Sequence, residues 1–239
     1  MFYYLIPSFL TYNLFLVAAA IIPALFLMGK VYRSDRLEPE SPHLLLALAR
    51  AGVFAALIAI LAERILGAIL DAAVRDPALH EILLYFGVVA FSEEGAKYLL
   101  LRRRTWRSPE FNCQYDGLVY AVFVSLGFAL WENISYVLHY GFSTAVVRAL
   151  TAIPGHSCFG VFMGVFYGLA RRAENGGHPG ISRRYRTLAI LVPAVLHGAY
   201  DYIASEDASI WLFVAFIVAL FLLSYRLVSR MSRQDRYIA

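Results

Sequence analysis

The feature of this sequence that most constrains its fold is a series of apolar runs, each about 20 residues long, which is the length of a membrane-spanning helix. At ~1.5 Å of rise per residue, such a run crosses the ~30 Å hydrocarbon core of a bilayer. Hydrophobic residues make up 60% of the 239 residues and charged residues 16%, against roughly 25% charged in soluble domains. We therefore expect an integral membrane protein.

Apolar runs separated by charged breaks predict seven membrane-spanning helices. The expected fold is an all-α polytopic transmembrane helix bundle, with residues 1–239 forming a single integral-membrane domain. The predicted spans are 8–29, 43–63, 79–101, 115–138, 145–170, 186–204 and 208–228.

The basic residues between these spans predict the orientation of the bundle. Loops 30–42, 102–114 and 171–185 carry three, four and four Lys or Arg residues, whereas the opposite loops hold one basic residue, Arg75, with Arg64 and Arg148 at span edges. Basic residues are retained on the cytoplasmic side, so we expect the N-terminus outside and the C-terminus in the cytoplasm. The net charge of +4 is explained by these topology signals, and we expect no nucleic-acid partner.

Ionisable residues inside four of the predicted spans indicate where function lies. Such groups cost several kcal/mol at bilayer depth and usually face a bundle interior or a water-filled cavity. They define an expected catalytic core over residues 79–204. The candidates, in spans three to six, are Glu93, Glu94 and Lys97, then Glu132 and Tyr136, then His156, then His197 and Asp201.

The spacing of these residues gives them a direction. Residues four apart share one face of a helix, which applies to Glu93 with Lys97 and to His197 with Asp201. Counted from the cytoplasmic end of each span at ~1.5 Å per residue, Glu93, His197 and His156 lie about 12, 16 and 21 Å deep. We therefore expect the two histidines to lie on facing helices and to converge on the glutamates.

Glu93 and Glu94 point about 100° apart on a helix, so they cannot act on one atom in the same way. One could serve as general base towards water while Lys97 holds the other. His156 and His197 could bind a metal together with Glu93, or could donate hydrogen bonds to a developing oxyanion. Zn²⁺ would suit such a donor set, and a metal-free mechanism stays an alternative.

Other residues and motifs point elsewhere. Asp116, at the cytoplasmic mouth of span four, is expected to be structural or interfacial. A hydrogen bond between Glu132 and Tyr136 would be a plausible helix-packing device. His80-Glu81 lacks the second histidine of an HExxH zinc site, and no GxSxG serine motif occurs.

The four polar stripes together resemble the PrsW family of intramembrane proteases. The family motifs Glu-Glu-x-x-Lys, Glu-x-x-x-Tyr, His-x-x-x-Gly and His-x-x-x-Asp occur here in order, at residues 93–97, 132–136, 156–160 and 197–201. The related CAAX prenyl proteases and bacteriocin-processing enzymes typically have Arg in place of Lys97 and often Asn in place of Asp201, which favours the PrsW branch.

This resemblance implies an endopeptidase of the bacterial inner membrane that makes the first cut in a membrane-anchored anti-sigma factor. Its partners would then be a membrane-anchored protein substrate and the lipid bilayer. Two alternatives use the same buried groups: a transporter or proton pathway, and a structural protein whose polar stripes hold its helices together.

Overall fold

The computed structural model describes residues 5–205 and 209–238, with side chains from residue 14 onward, and all regular secondary structure in these ranges is helical. This confirms the predicted all-α bundle. In chain order the helices are α1 (Leu5–Tyr32), α2 (Pro42–Ala73), α3 (Pro77–Ile82), a π-helix (Leu83–Ala90), α4 (Phe91–Thr105), α5 (Asp116–Tyr140), α6 (Phe142–Leu150), α7 (Ala152–Asn175), α8 (Pro179–Ser205) and α9 (Ile210–Arg233).

Six helical segments within the described residues are long and apolar enough to cross a membrane. They are α1, α2, α5, α6 together with α7, α8 and α9. The predicted span 79–101 is not among them, because α3, the π-helix and α4 divide it and α4 carries several charged residues. α4 instead packs among α2, α5 and α8. The span count and the orientation of the termini therefore stay predictions.

Two predicted boundaries differ from the observed helices. The second span was expected to end at residue 63, yet α2 continues to Ala73, so Glu63 and Arg64 lie inside a helix rather than at its end. The fifth span, 145–170, crosses a break at Thr151, whose backbone (φ −122°, ψ −66°) separates α6 from α7. Thr151 is neither Gly nor Pro, and the one local signal is Pro154, which lies in the first turn of α7.

Local sequence explains where several helices begin. Ser41 caps α2 by accepting a hydrogen bond from the Leu44 amide (3.3 Å), and Pro42 occupies the first turn. Asp76 caps α3 in the same way through the Leu79 amide at 2.8 Å. A side-chain oxygen at the N-cap satisfies an otherwise unpaired backbone N–H, and proline tolerates the first helical turn because that N–H is not needed there.

α5 is the most buried of the six candidate spans, whereas α9 is the most exposed. α7 approaches α5 closely along a face of small residues. A Cβ atom added to Gly160 would lie 2.9 Å from the Cβ of Ser125 and 3.0 Å from the Cα of Val122, so a larger residue would force the helices apart. Small residues at a helix crossing allow this close packing in membranes. The crossing places the polar residues of α5 beside those of α7.

Candidate active site

The first turns of α4 bring three charged side chains into the interior of the bundle. Glu93, Glu94 and Lys97 are all buried. The Nζ atom of Lys97 lies 3.2 Å from Oε2 of Glu93 and 2.6 Å from Oε1 of Glu94. The i,i+4 and i,i+3 spacings produce these two contacts, because both positions lie one turn from Lys97. One ammonium thus contacts two carboxylates.

The π-helix at Leu83–Ala90 ends directly before this turn. π-helical segments are rare and occur frequently at functional sites, because the extra residue per turn changes the direction in which later side chains point. Here it precedes Glu93 by three residues. No simple pattern in the sequence distinguishes it from an ordinary apolar helix.

The two histidines meet beside the glutamates. The rings of His156 on α7 and His197 on α8 have centroids 5.2 Å apart. Nδ1 of His156 lies 3.2 Å from Nζ of Lys97, and Nδ1 of His197 lies 3.0 Å from Oε1 of Glu94. The structure therefore brings His156, His197, Glu93, Glu94 and Lys97 into one cluster from three helices.

Each histidine also has a carboxylate at its other ring nitrogen. Nε2 of His156 lies 2.8 Å from Oε2 of Glu132 on α5, and Nε2 of His197 lies 3.4 Å from Oδ2 of Asp201 one turn later on α8. A hydrogen bond at one ring nitrogen fixes the orientation of the imidazole and the role of the other nitrogen. Glu132 and Asp201 are thus placed to orient the two histidines.

Arg148 on α6 completes this arrangement, although the sequence indicated it only as a charge at a span edge. Its Nη2 donates to Oε2 of Glu132 at 3.0 Å and its Nε donates to Oδ1 of Asn133 at 3.1 Å. Its guanidinium also lies 4.0 Å from the centroid of the Tyr136 ring. Among the described residues no hydrogen bond joins Tyr136 to Glu132, although the sequence suggested one. Tyr136 contacts Arg148 instead.

A cavity of about 430 Å³ opens onto this cluster. Glu93 lines it, whereas Glu94 and Lys97 are fully buried beside the histidines. The cavity reaches Ser205 at the end of α8, on the side predicted to face outwards. Its polar and aromatic lining residues are Glu63, Tyr85, Glu93, Glu132, Tyr136, Arg148, His156, Phe159, His197, Tyr200 and Asp201.

The cavity contains two residues that the sequence did not indicate. Glu63 was placed at the end of the second span, and only the extension of α2 to Ala73 makes it an interior residue. Tyr85 belongs to the π-helix. If the end of α2 at Ala73 had been predicted correctly, Glu63 would have been an acidic residue ten residues before the end of a helix. That position would have indicated an interior residue.

Asp116 does not reach this cluster. It begins α5 at the opposite end of the helix from Glu132, and its Oδ2 accepts hydrogen bonds from the amides of Asn112 (3.0 Å) and Cys113 (2.6 Å). Those bonds give it a structural role, since they satisfy two backbone amides of the loop that precedes α5.

Comparison with known proteins decides between the three functional classes that the sequence left open. Residues 40–226 match the family described as PrsW family intramembrane metalloprotease. The chain belongs to the PrsW family. The resemblance of the four motifs is thereby confirmed, and the chain is an intramembrane protease rather than a transporter or a structural protein.

Curated PrsW relatives cover most of the chain. Protease PrsW of Geobacillus kaustophilus is 34% identical over 189 residues, 79% of this chain and 79% of the relative. Protease PrsW of Bacillus subtilis is 30% identical over 83% of this chain and 86% of its own, and that of Clostridioides difficile is 31% identical over 88% and 87%. No solved structure matches the chain significantly.

The PrsW description as a metalloprotease can be tested against the donor atoms in the cluster. Glu93, Glu94, His156 and His197 each offer one ligand atom, and these atoms all lie within 4.8 Å of one another. Two imidazole nitrogens with carboxylate oxygens are a donor set that Zn²⁺ accepts. In addition, Oε2 of Glu94 is buried with no hydrogen-bond partner among the described residues. The residues therefore fit a metal in kind and in proximity.

Lys97 restricts how a metal could bind in this PrsW site. Its ammonium lies within 3.2 Å of Glu93, Glu94 and His156, which are three of the four candidate ligands. A cation at the same donor atoms would compete with the ammonium for their lone pairs. Metal binding therefore requires Lys97 to move away from at least one of these contacts.

Proposed function

We propose that this PrsW protease hydrolyses a peptide bond in a membrane-anchored protein, with Glu93 as the general base that activates water. One observation carries this proposal: Glu93 lines the cavity, while its neighbour Glu94 is fully buried. A general base must reach the water that it deprotonates. The sequence left the choice between Glu93 and Glu94 open, and the position of the cavity favours Glu93.

Glu94 and Lys97 have a supporting role in this proposal. The shorter of the two Lys97 contacts is to Glu94, at 2.6 Å compared with 3.2 Å to Glu93. Glu94 also lies 3.0 Å from Nδ1 of His197. Glu94 therefore orients His197 and holds Lys97, and Lys97 offsets the negative charge of both carboxylates in a low-dielectric interior.

The two histidines serve the developing oxyanion of the scissile carbonyl or hold a metal. His197 has a carboxylate at each ring nitrogen, at 3.0 Å and 3.4 Å, so it would donate to the oxyanion or bind a metal by exchanging one of these contacts, of which the one to Asp201 is the longer. His156 has Glu132 at Nε2 and Lys97 at Nδ1, so its Nδ1 would reach a metal once Lys97 moves away. A hydrogen-bond donor aimed at the site of charge development lowers the barrier to acyl transfer.

We propose His156, His197 and Glu93 as the residues that would hold a metal such as Zn²⁺. When bound, a catalytic zinc acidifies water and polarises a carbonyl. In either case Glu132 and Asp201 hold the imidazole rings in position, and Arg148 holds Glu132. Phe159, whose ring stacks on His197 with centroids 4.7 Å apart, covers part of the site and helps to exclude water.

The position of the cavity favours a substrate that approaches from outside the membrane. Its lining includes Arg148 in the last turn of α6 and Ser205 at the end of α8, both on the side predicted to face outwards. We propose that the substrate is anchored in the bacterial plasma membrane and presents its external juxtamembrane segment to the cavity. An anti-sigma factor, which the PrsW resemblance implies, is a protein of this kind.

The experiment that tests the proposed function is a cleavage assay on purified protein in detergent with a panel of single-span test substrates. We expect a defined cleavage product with wild type and with Glu110→Gln, a control at an exposed position of the 106–115 loop. Glu93→Gln and His156→Ala should yield no product. Equal product from all four proteins would assign the cleavage to a contaminating protease and contradict the proposal.

A further inference from the structure

A second cluster of acidic side chains lies at the other end of α5, remote from the active site. Asp35 and Glu40 belong to the loop between α1 and α2, and Asp116 begins α5. All three side chains are buried, and each offers a carboxylate oxygen within 4.8 Å of the others. By the predicted orientation this cluster lies at the cytoplasmic surface of the bundle.

Several of these oxygens lack a partner. Asp35 is 8% exposed, and neither of its carboxylate oxygens has a hydrogen-bond partner of standard geometry, although the backbone of residues 36–38 lies nearby. Asp116 is 1% exposed, and its Oδ1 has no partner of standard geometry, although the carboxyl group of Glu40 lies within hydrogen-bonding reach of Asp116. None of the ion pairs in the described part of the chain involves Asp35, Glu40 or Asp116. Buried carboxylates without a cation or a donor are costly.

The C-terminal segment adds a fourth acidic side chain. Asp235 accepts a hydrogen bond from the amide of Tyr115 at 2.9 Å through Oδ1, while its Oδ2 is buried with no partner in the described residues. The negative charge of Asp235 also raises the pKa of Asp35, after burial, which is the larger cause. The cluster therefore joins the α1–α2 loop, the start of α5 and the C-terminal tail.

We propose that Asp35, Glu40 and Asp116 form a binding site for a hard divalent cation, Mg²⁺ or Ca²⁺, that holds the C-terminal tail against the bundle. Both cations prefer carboxylate oxygens. Ligands on opposite sides of Ca²⁺ lie about 4.6–5.2 Å apart, given metal–oxygen distances of about 2.3–2.6 Å, and those around Mg²⁺ about 4.0–4.2 Å. The oxygens of the cluster, all within 4.8 Å of one another, lie close enough together to be ligands of one Ca²⁺.

The tail has contacts that a cation at this position would strengthen. The amide of Gln114 donates to the carbonyl of Arg236 at 3.1 Å, and the amide of Ile238 donates to the carbonyl of Asn112 at 2.7 Å. These bonds pair the tail with residues 112–114 and cover Cys113, which is 1% exposed. Neutralising the adjacent carboxylates would remove the repulsion that opposes this pairing.

The alternative occupant of the cluster is a proton. Burial and then the charge of Asp116 raise the pKa of Glu40 to about 9, so a proton on Glu40 would also reduce the repulsion. The two occupants differ in one measurable respect. A bound cation makes stability depend on cation concentration, because a ligand that binds only the folded state stabilises it by mass action.

Thermal unfolding in detergent separates the two occupants. With Zn²⁺ held constant, we expect the Tm of wild type and of the control Glu110→Gln to rise with the logarithm of added Mg²⁺ or Ca²⁺. The Tm of Asp35→Asn should not change with either cation. In chelator, Asp35→Asn should be more stable than wild type, because it removes a buried charge. A wild-type Tm that is independent of both cations would overturn the proposal and assign the cluster to protons.

Labelling of Cys113 gives a second, local measurement. In a Cys158→Ala background, where Cys113 is the remaining cysteine, we expect a maleimide to react about tenfold faster in chelator than in Mg²⁺ or Ca²⁺, because the tail opens locally. Adding Zn²⁺ alone should not restore protection. Equal labelling rates in chelator and in both cations would contradict a cation that holds the tail, whatever the catalytic site binds.

Discussion

Nζ of Lys97 lies 3.2 Å from Nδ1 of His156, the ring nitrogen that does not contact Glu132. The same ammonium contacts both Glu93 and Glu94, and it lies 3.9 Å from the centroid of the Phe128 ring. One fully buried cation therefore joins two carboxylates of α4 and a histidine from another helix. The charge balance of the active site depends on it.

The first prediction concerns this cation. Lys97→Met keeps much of the side-chain volume but leaves two buried carboxylates without their ammonium. Removing one partner of a buried ion pair typically costs about 3–5 kcal/mol, so we expect a large loss of stability together with loss of cleavage. Thermal unfolding in detergent measures the first effect.

The matched control for Lys97→Met is the double variant Glu94→Gln/Lys97→Met. Removing both partners leaves less uncompensated charge, so the double variant should be more stable than Lys97→Met alone. A Lys97→Met protein as stable as wild type would show that Lys97 does not compensate the carboxylates.

The second prediction concerns Arg148, which contacts Glu132 and Asn133 but is not placed at the reacting atoms. Arg148→Gln should reduce kcat by about 10–100-fold, as is common for residues that orient a functional ligand, with a smaller loss of stability than Lys97→Met, because Arg148 and Glu132 are less buried than the Lys97 cluster. Arg148→Lys keeps the positive charge but cannot contact Glu132 and Asn133 with two groups at once. Its kcat should therefore lie between those of wild type and Arg148→Gln. Wild-type kcat in Arg148→Gln would contradict the positioning role.

The contacts of this site that could be predicted from the sequence are those within one helix. The pairs Glu93–Lys97 and His197–Asp201 follow from i,i+4 spacing, and the structure has both. The contacts of Arg148 with Glu132 and of Lys97 with His156 join residues of different helices. They depend on how α4, α5, α6 and α7 pack, which no spacing in one segment specifies.

The fold, too, was predicted in part: its regular helices were expected, and its irregular positions were not. Apolar runs were sufficient to predict a membrane helix bundle and most of its helices. They were not sufficient for the π-helix at Leu83–Ala90 or for the break at Thr151, because both lie inside predicted apolar spans. Glu63 was misplaced for a related reason: a charged pair within a long helix resembles the end of a span.

The third prediction concerns the metal. If Zn²⁺ is bound, exhaustive chelation should abolish cleavage and added Zn²⁺ should restore it. His156→Ala and His197→Ala should lose bound metal together, as measured by elemental analysis of purified protein. Full activity after verified removal of all metal, combined with inactive alanine variants, would leave the histidines as oxyanion donors and exclude their metal role.

The fourth prediction concerns orientation. Residue 75 lies between α2 and α3, in a loop that the distribution of Lys and Arg places outside. A cysteine introduced at Arg75 should react with a membrane-impermeant reagent added to intact cells, whereas one introduced at Arg104 should react only after the cells are opened. The reverse pattern would show that the predicted topology is wrong.

The central claim is that Glu93 is the general base and Glu94 supports it, and single-turnover cleavage of one test substrate measures this most directly. We expect Glu93→Gln to slow cleavage by about 10²–10⁴-fold while its thermal unfolding stays close to that of wild type. Glu94→Gln should retain measurable cleavage but unfold at a lower temperature, because Lys97 loses its closest partner. Glu110→Gln should match wild type in both measurements. Wild-type cleavage by Glu93→Gln would contradict the account.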